Sequence, residues 1–383
     1  MRTHTFVTTP KSLKGKTALV RVDFNEPLEH GKIADSFRIK NTAPTIKDLV
    51  RRGAHVVLVA HLEDAISKKQ LSFKSHILQL SRMLGVKLGF VEEYSKRAIT
   101  RGLLKNKVVL LENVRLQKGE EKNDAQFSKL LASFGDLYVN EAFSVSHRAH
   151  ASIVGVPKLL PAYAGQLFSR EVKILGAALQ PTHPFLLIVG GVKFNTKFAL
   201  LKSFIPKTDA VFLGGVLANT FLAAHDIEIG KSMFEASALG VIKKNFLKSP
   251  KILLPFDVRT AHGAKDVFDV EFAESILDIG PDTVRQLVSI AREAKYVLWN
   301  GPLGYIEKGY DKSTRDLLRA LSNLRKTKVI LGGGDTLSVL DHMKLHKKFY
   351  HVSTGGGAML DFLADGTLPG IEALVRKNIY KKR

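Results

Sequence analysis

No cysteine occurs among the 383 residues. That excludes disulfides, thiolate metal sites and cysteine nucleophiles, and leaves the compartment open. No apolar run approaches the ~20 residues that a membrane-spanning helix needs. The opening stretch, MRTHTFVTTPKSLKGK, lacks the continuous apolar centre of a secretory signal. A cytoplasmic protein with no membrane partner is therefore expected. Acidic residues are scarce: 36 Asp and Glu face 58 Lys and Arg, a net charge of +22. The basic residues are spread along the chain, as at Lys105 and Lys107, Lys243 and Lys244, Arg325 and Lys326, Lys347 and Lys348, and Lys381 to Arg383. The excess suits steering of anionic substrates and also nucleic acid, but with no aromatic-interleaved basic motif and no zinc-finger spacing it reads mainly as solvated basic faces. No obligate nucleic-acid partner is expected. Two phosphate fingerprints are also missing. There is no G-x-x-x-x-G-K-[ST], so this is not a P-loop protein, and no G-x-G-x-x-G after the first strand, which disfavours a dinucleotide fold.

The length fits two domains, and 45% hydrophobic with 25% charged residues is the balance of a folded soluble chain. Short β-rich runs alternate with helical patterns, which predicts parallel α/β layers. Strands are predicted at Ala18–Phe24, Val56–His61, Val108–Leu111 and Leu137–Val139, then at Phe185–Val189, Ala210–Leu213, Ile252–Pro255, Val297–Trp299, Val329–Leu331 and Tyr350–Val352. Asp282 and Ser313 stand near helix starts as cap candidates. Pro157 and Pro161 close the first half and Pro181 and Pro184 open the second, with helical periodicity over Ala164–Leu179 between them. The expected organisation is an N-terminal lobe over 1–163, a helical hinge over 164–180, a C-terminal lobe over 181–369 and a final segment over 370–383.

The stretch Val329–Leu360 contains one unit twice: a short apolar run, three glycines, then a helical pattern. The first trio is Gly332, Gly333 and Gly334, followed by Asp335 and Thr336; the second is Gly355, Gly356 and Gly357, preceded by Ser353 and Thr354. A glycine turn feeding a helix points free backbone N–H groups at a ligand, and the helix dipole favours an anion there. Asp335 is the natural partner for a cation riding on a phosphate. Further glycines follow other strands: Gly190 and Gly191 with Lys193 and Lys197 beyond them, Gly214 and Gly215, and Gly301 within Trp299–Gly304, with Glu307 after it. Together they fit a mononucleotide.

In the first half, strand ends lead to Asp23 and Asn25 with Arg38 beyond, to His61, to Glu112–Arg115, and to Asn140–Phe143 followed by Ser146–His150. Ligands of an open parallel sheet sit at the carboxyl ends of its strands. Arg38, Arg115 and Arg148 with the neighbouring histidines suit a small polyanion, because a guanidinium fork donates two bonds at once. His147 and His150 form an i,i+3 pair without a clear third ligand, which argues against zinc.

Five pieces of sequence resemble the phosphoglycerate kinases: RVDFN at Arg21–Asn25, HRAHAS at His147–Ser152, WNGP at Trp299–Pro302, GGGDT at Gly332–Thr336 and STGGGA at Ser353–Ala358. The likeness runs from Arg21 to Gly370. It implies two Rossmann-like, doubly wound parallel-sheet lobes joined by a helical hinge, in a glycolytic kinase that moves a phosphoryl group between 1,3-bisphosphoglycerate and ADP. By that resemblance Asp23, Asn25, Arg38, His61, Arg115 and Arg148 would hold the triose on the first lobe. Arg38, Lys193 and the backbone at Gly333, Gly355 and Gly356 would meet the phosphoryl group in transfer. Lys193, Lys197, Gly214, Gly215, Asn300, Pro302, Glu307, Gly332 to Gly334, Asp335 and Thr336 would hold ATP or ADP on the second lobe, with Asp335 on magnesium. The tail after Gly370 would return to the first lobe, and the resemblance favours a monomer.

The sequence departs from the family pattern in four places. The usual HLGRP reads His61-Leu62-Glu63-Asp64-Ala65, so a charge is reversed at Asp64, and Lys68 or Lys69 could replace the lost cation. The usual GGAKVSDK reads Gly190 to Lys197 as GGVKFNTK. The third glycine of GGGMA is Val216, and NDAFGTAHRAH has Glu141, Ser144, Val145 and Ser146 changed. These departures leave an alternative open, a non-catalytic relative that binds nucleotide or a protein partner.

Overall fold

The computed structural model describes residues 6–34, 36–64 and 67–375. Ala65 and the end of the chain from residue 376, with Lys381 to Arg383, lie outside the described residues. The chain divides into two units: Met1–Ile174 with Thr367–Arg383, and Leu175–Gly366.

The first unit is built on six parallel strands, β1 (Thr17–Arg21), β2 (His55–Val59), β3 (Leu88–Val91), β4 (Val108–Leu111), β5 (Leu137–Asn140) and β6 (Ala162–Ala164), in the order β3-β4-β2-β1-β5-β6. Its central strands are apolar on both faces, as a sheet covered by helices on both sides requires. Helix α1 (Phe37–Arg51) buries Ile39, Ile46 and Leu49 in the core that holds Val20, Val22 and Leu58. Strand order reverses on either side of β1, so the ends of β1 and β5 flank the switch point where such sheets bind ligands. In register there, Arg21 pairs with Asn140. Helix α2 (Gln166–Ala178) follows β6, and the division between the units falls inside it.

The second unit repeats the plan. Strands β7 (Phe185–Val189), β8 (Ala210–Leu213), β9 (Ile252–Leu253), β10 (Tyr296–Asn300), β11 (Lys328–Gly332) and β12 (His351–Val352) are parallel, in the order β9-β8-β7-β10-β11-β12. The switch point lies between β7 and β10, with Val189 level with Asn300. Helices α3 (Asn195–Phe204), α4 (Gly215–Ala224), α5 (Pro281–Glu293), α6 (Gly334–Met343) and α7 (Gly357–Asp365) include those that start at the glycine turns.

A three-stranded antiparallel sheet, Asp257–Thr260, Gly263–Asp266 and Asp278–Ile279, was not anticipated. It also moves the helix caps. Asp282 lies inside the first turn of α5, and the backbone N–H groups of Asp282 and Thr283 donate at 2.9 and 2.7 Å to Asp257, 25 and 26 residues earlier. Ser313 likewise lies inside its helix, and its N–H donates to Asp278 at 3.0 Å. A carboxylate from a neighbouring strand satisfies these orphan donors as well as a local cap would.

Candidate active site

At the end of β1 the chain turns through Asp23 and Asn25. Arg38, on the first turn of α1, donates to the Asn25 carbonyl at 3.1 Å and lies 3.5 Å from the Asp23 carboxylate. Ser144 also donates its hydroxyl to Asp23. Burial works to raise the Asp23 pKa, but Arg38, His61 and these hydrogen bonds outweigh it and hold the carboxyl below its ordinary value.

His61 follows β2 and is buried. Arg21 Nη2 lies 3.3 Å from its Nδ1. A guanidinium can only donate, so Nδ1 accepts and the imidazole proton sits on Nε2. Burial, then the Arg21 charge, lower the His61 pKa to about 3, so the ring is neutral at pH 7. Arg21 was not among the expected site residues, although an arginine in the middle of the apolar run ALVRVDF is itself a signal. Its Nε donates at 2.8 Å to Ser152 Oγ, which donates in turn to the buried Glu120. The serine that ends the HRAHAS run thus links a buried cation to a buried anion. His150 lies 3.9 Å from Glu120, and burial followed by Arg21 and Arg148 lowers its pKa to about 4. Arg148 is exposed, with Nε 3.4 Å from His147 Nε2.

The loop after β2 carries two carboxylates with different partners. Asp64 accepts from the Ser67 N–H at 2.6 Å and the Ser67 hydroxyl at 2.8 Å, which closes a turn of its own loop. Glu63 pairs with Arg115 Nη1 at 2.8 Å. Glu141, at the end of β5, caps α2 by accepting from the N–H groups of Leu167 and Phe168, and it takes the Thr45 hydroxyl as well. Burial raises its pKa to about 8 against these three bonds.

In the second unit, the turns after β7 and β10 meet backbone to backbone. Gly190 N donates to Asn300 O at 2.9 Å and Gly191 N to Pro302 O at 3.0 Å. A Cβ on Gly190 would lie 2.0 Å from Pro302 O, and one on Gly301 2.3 Å from Gly190 O. Trp299 fixes the same turn by donating from Nε1 to Gly301 O at 2.7 Å. The turn after β8 joins them, because Gly215 N donates to Leu303 O at 2.9 Å, while a Cβ on Gly214 would lie 2.7 Å from Leu303 Cδ2. Val216 lies in the first turn of α4, where its carbonyl accepts from the Thr220 hydroxyl at 2.8 Å.

Around these turns stand the charged groups. Lys197, on α3, is largely buried; burial lowers its pKa and Asp335 pulls it back up. Asp335 opens α6. Loss of hydration, then the Glu307 carboxylate, raise its pKa, and Lys197 offsets part of the rise. Thr336 Oγ1 beside it is buried with no hydrogen-bond partner among the described residues. Lys193 is exposed. The Ser353 hydroxyl accepts from Gly355 N at 3.1 Å in the turn that enters α7.

The chain as a whole matches known proteins. The family model described as phosphoglycerate kinase matches residues 9–366. The chain belongs to the phosphoglycerate kinase family. The phosphoglycerate kinase of Caulobacter sp. (strain K31) is 42% identical over 386 residues, covering 94% of this chain and 97% of that one. That of Leptospira biflexa is 38% identical, covering 96% and 97%. Among solved structures, phosphoglycerate kinase from Coxiella burnetii superposes with a TM-score of 0.80 at 34% identity, covering 96% of this chain and 97% of that chain. The Pyrococcus horikoshii enzyme gives 0.84 at 28% identity, covering 97% and 98%. A phosphoglycerate kinase is a phosphotransferase that takes ATP or ADP as substrate, and the fold expected from the resemblance is the fold found.

Proposed function

We propose that reversible transfer between 1,3-bisphosphoglycerate and ADP proceeds here by positioning and charge neutralisation, with no general base. The attacking or leaving group is a carboxylate, which needs no deprotonation. The observation that carries this is His61: buried, neutral and held through Nδ1, it can donate from Nε2 but is a poor base. Asp23, Asn25, Arg38, His61, Arg115 and Arg148 bind the triose in this reading. Arg38 and Lys193 meet the transferring phosphoryl group, where charge is concentrated in the transition state. The N–H groups opening α6 and α7 at Gly333 and Gly356 add fixed dipoles.

The nucleotide lies against the turns at Gly190, Gly214 and Pro302, with Lys197 near its phosphates. Asp335 fits a magnesium ion, because a carboxylate short of hydration and beside Glu307 gains from a cation, and magnesium is commonly held by one carboxylate plus substrate phosphates. When bound, it would spread the phosphate charge. A monomeric, cytoplasmic enzyme is the accompanying proposal. A coupled assay should show ATP-dependent turnover of 3-phosphoglycerate at millimolar substrate. Nucleotide binding without turnover would select the non-catalytic alternative instead.

A further inference from the structure

Arg115 is 3% exposed in its side chain. Its Nη1 donates to Glu63 Oε2 at 2.8 Å, Glu121 lies 3.6 Å from Nε, and Nε and Nη2 are buried without a hydrogen-bond partner among the described residues. Buried donors that make no hydrogen bond are costly to keep, even on a guanidinium with ion-pair partners. Nε and Nη2, which make no hydrogen bond although the exposed Glu121 stands 3.6 Å from Nε, form one edge of the fork, the edge that can grip a carboxylate or phosphate with two parallel bonds. Glu63 holds the other edge. It is also held by its own surroundings: Gln70 donates to the same carboxylate oxygen at 2.9 Å, and the Glu63 N–H donates to Asn25 at 2.8 Å. Asn113 ties this loop further, donating to the carbonyls of Leu62 and Leu71 at 2.7 and 2.8 Å.

We propose that Glu63 is an affinity-setting residue of the triose site, a built-in anion that shares the Arg115 charge with the substrate and so weakens triose binding. The inference rests on the assignment of Arg115 to that site. Because Gln70 and Asn25 anchor Glu63, it stays when an anion arrives, and the one Arg115 charge is then shared among Glu63, the looser Glu121 and the substrate. Glu63 acts through Arg115 and makes no contact with the reacting atoms in this account.

Calorimetric titration of the full-length protein with 3-phosphoglycerate tests this, using wild type, Glu63→Gln, Arg115→Ala and the double variant. Glu63→Gln should lower Kd by about tenfold, the order expected when one partly buried carboxylate stops competing for a guanidinium. In steady state, the KM for 3-phosphoglycerate should fall while the KM for ATP stays unchanged. In the Arg115→Ala background, Glu63→Gln should have no effect. Glu63→Ala, checked by thermal melting, is the second variant and should move Kd in the same direction. If wild type binds the triose and both folded Glu63 variants bind it equally or more weakly, the inference is overturned and the assignment of Arg115 stands. If neither wild type nor any Glu63 variant binds it, that assignment fails too. Binding by the Glu63 variants alone would support the inference in its strongest form.

Discussion

Arg21 Nη2 lies 3.3 Å from His61 Nδ1, so an obligate cation is set against a buried imidazole. Burial, and then the second positive charge that protonation would set beside Arg21, lower its pKa to about 3 from 6.5. The unfolded chain takes up this proton near pH 6.5 and the folded chain does not until about pH 3. Stability from this group is therefore complete above the unfolded value and lost as pH falls through the window between the two. Urea midpoints measured from pH 7 to pH 4 should decline, and His61→Gln, which keeps an acceptor for Arg21, should flatten the decline. Parallel declines in both proteins would assign the acid sensitivity to other groups, such as His150, whose pKa is lowered to about 4.

Gly190 and Gly301 leave no room for a methyl group. In both cases the obstacle is backbone oxygen, which has no rotamer to move, and Gly301 also has a φ of +93°. Gly190→Ala and Gly301→Ala should each cost roughly 1–3 kcal/mol, the range of overpacking with backbone displacement, with Gly301→Ala the larger for its added φ strain. Denaturant unfolding reads the loss, and changes within 0.5 kcal/mol would mean the turns separate easily.

Arg38→Ala and Lys193→Ala should lower kcat far more than they raise either KM. Each removes a charge aimed at the transition state, where one preorganised group contributes roughly 10²–10³ in rate. A rise in KM with kcat intact would assign them to ground-state binding.

Asp64→Arg should leave the KM for 3-phosphoglycerate within about twofold of wild type, the scale of an exposed charge whose carboxylate is spent on its own turn. A tenfold drop would show that Asp64 faces the substrate.

The sheets were legible where a strand is apolar on both faces, as in Phe185–Val189 and Val108–Leu111. They were not where burial is partial. Leu88–Val91 and Ala162–Ala164, at the two edges of the first sheet, leave half-buried positions and carry no run. The three-stranded sheet sets isolated apolar residues, Val258 and Ile279, among polar ones such as Asp257, Arg259 and Asp278, and its pairing depends on contacts no local pattern announces. At the site, the glycine turns show in sequence because their cause is local, a backbone with no space for Cβ. The Arg21–Ser152–Glu120 chain spans 131 residues between its first two members, so only the fold brings it together. Glu63 is read in sequence as a departure from a pattern; that it meets Arg115 is a property of the folded loop.

Gly370 N donates to Ser146 O at 2.9 Å, and the stretch from Thr367 onward belongs with the first unit although the whole second unit precedes it in the chain. A Cβ on Gly370 would lie 2.6 Å from the Ser146 hydroxyl, so this stretch sits tightly on its partner. On the ribosome, the first unit begins to emerge early but lacks this piece until the whole second unit has been made. Domains generally fold as units in order of emergence; here the first to appear is the last to be complete. A truncated chain ending before Thr367 would release the second unit entire and the first unit open at Ser146, which makes the stretch that follows the second unit a quality check on the first.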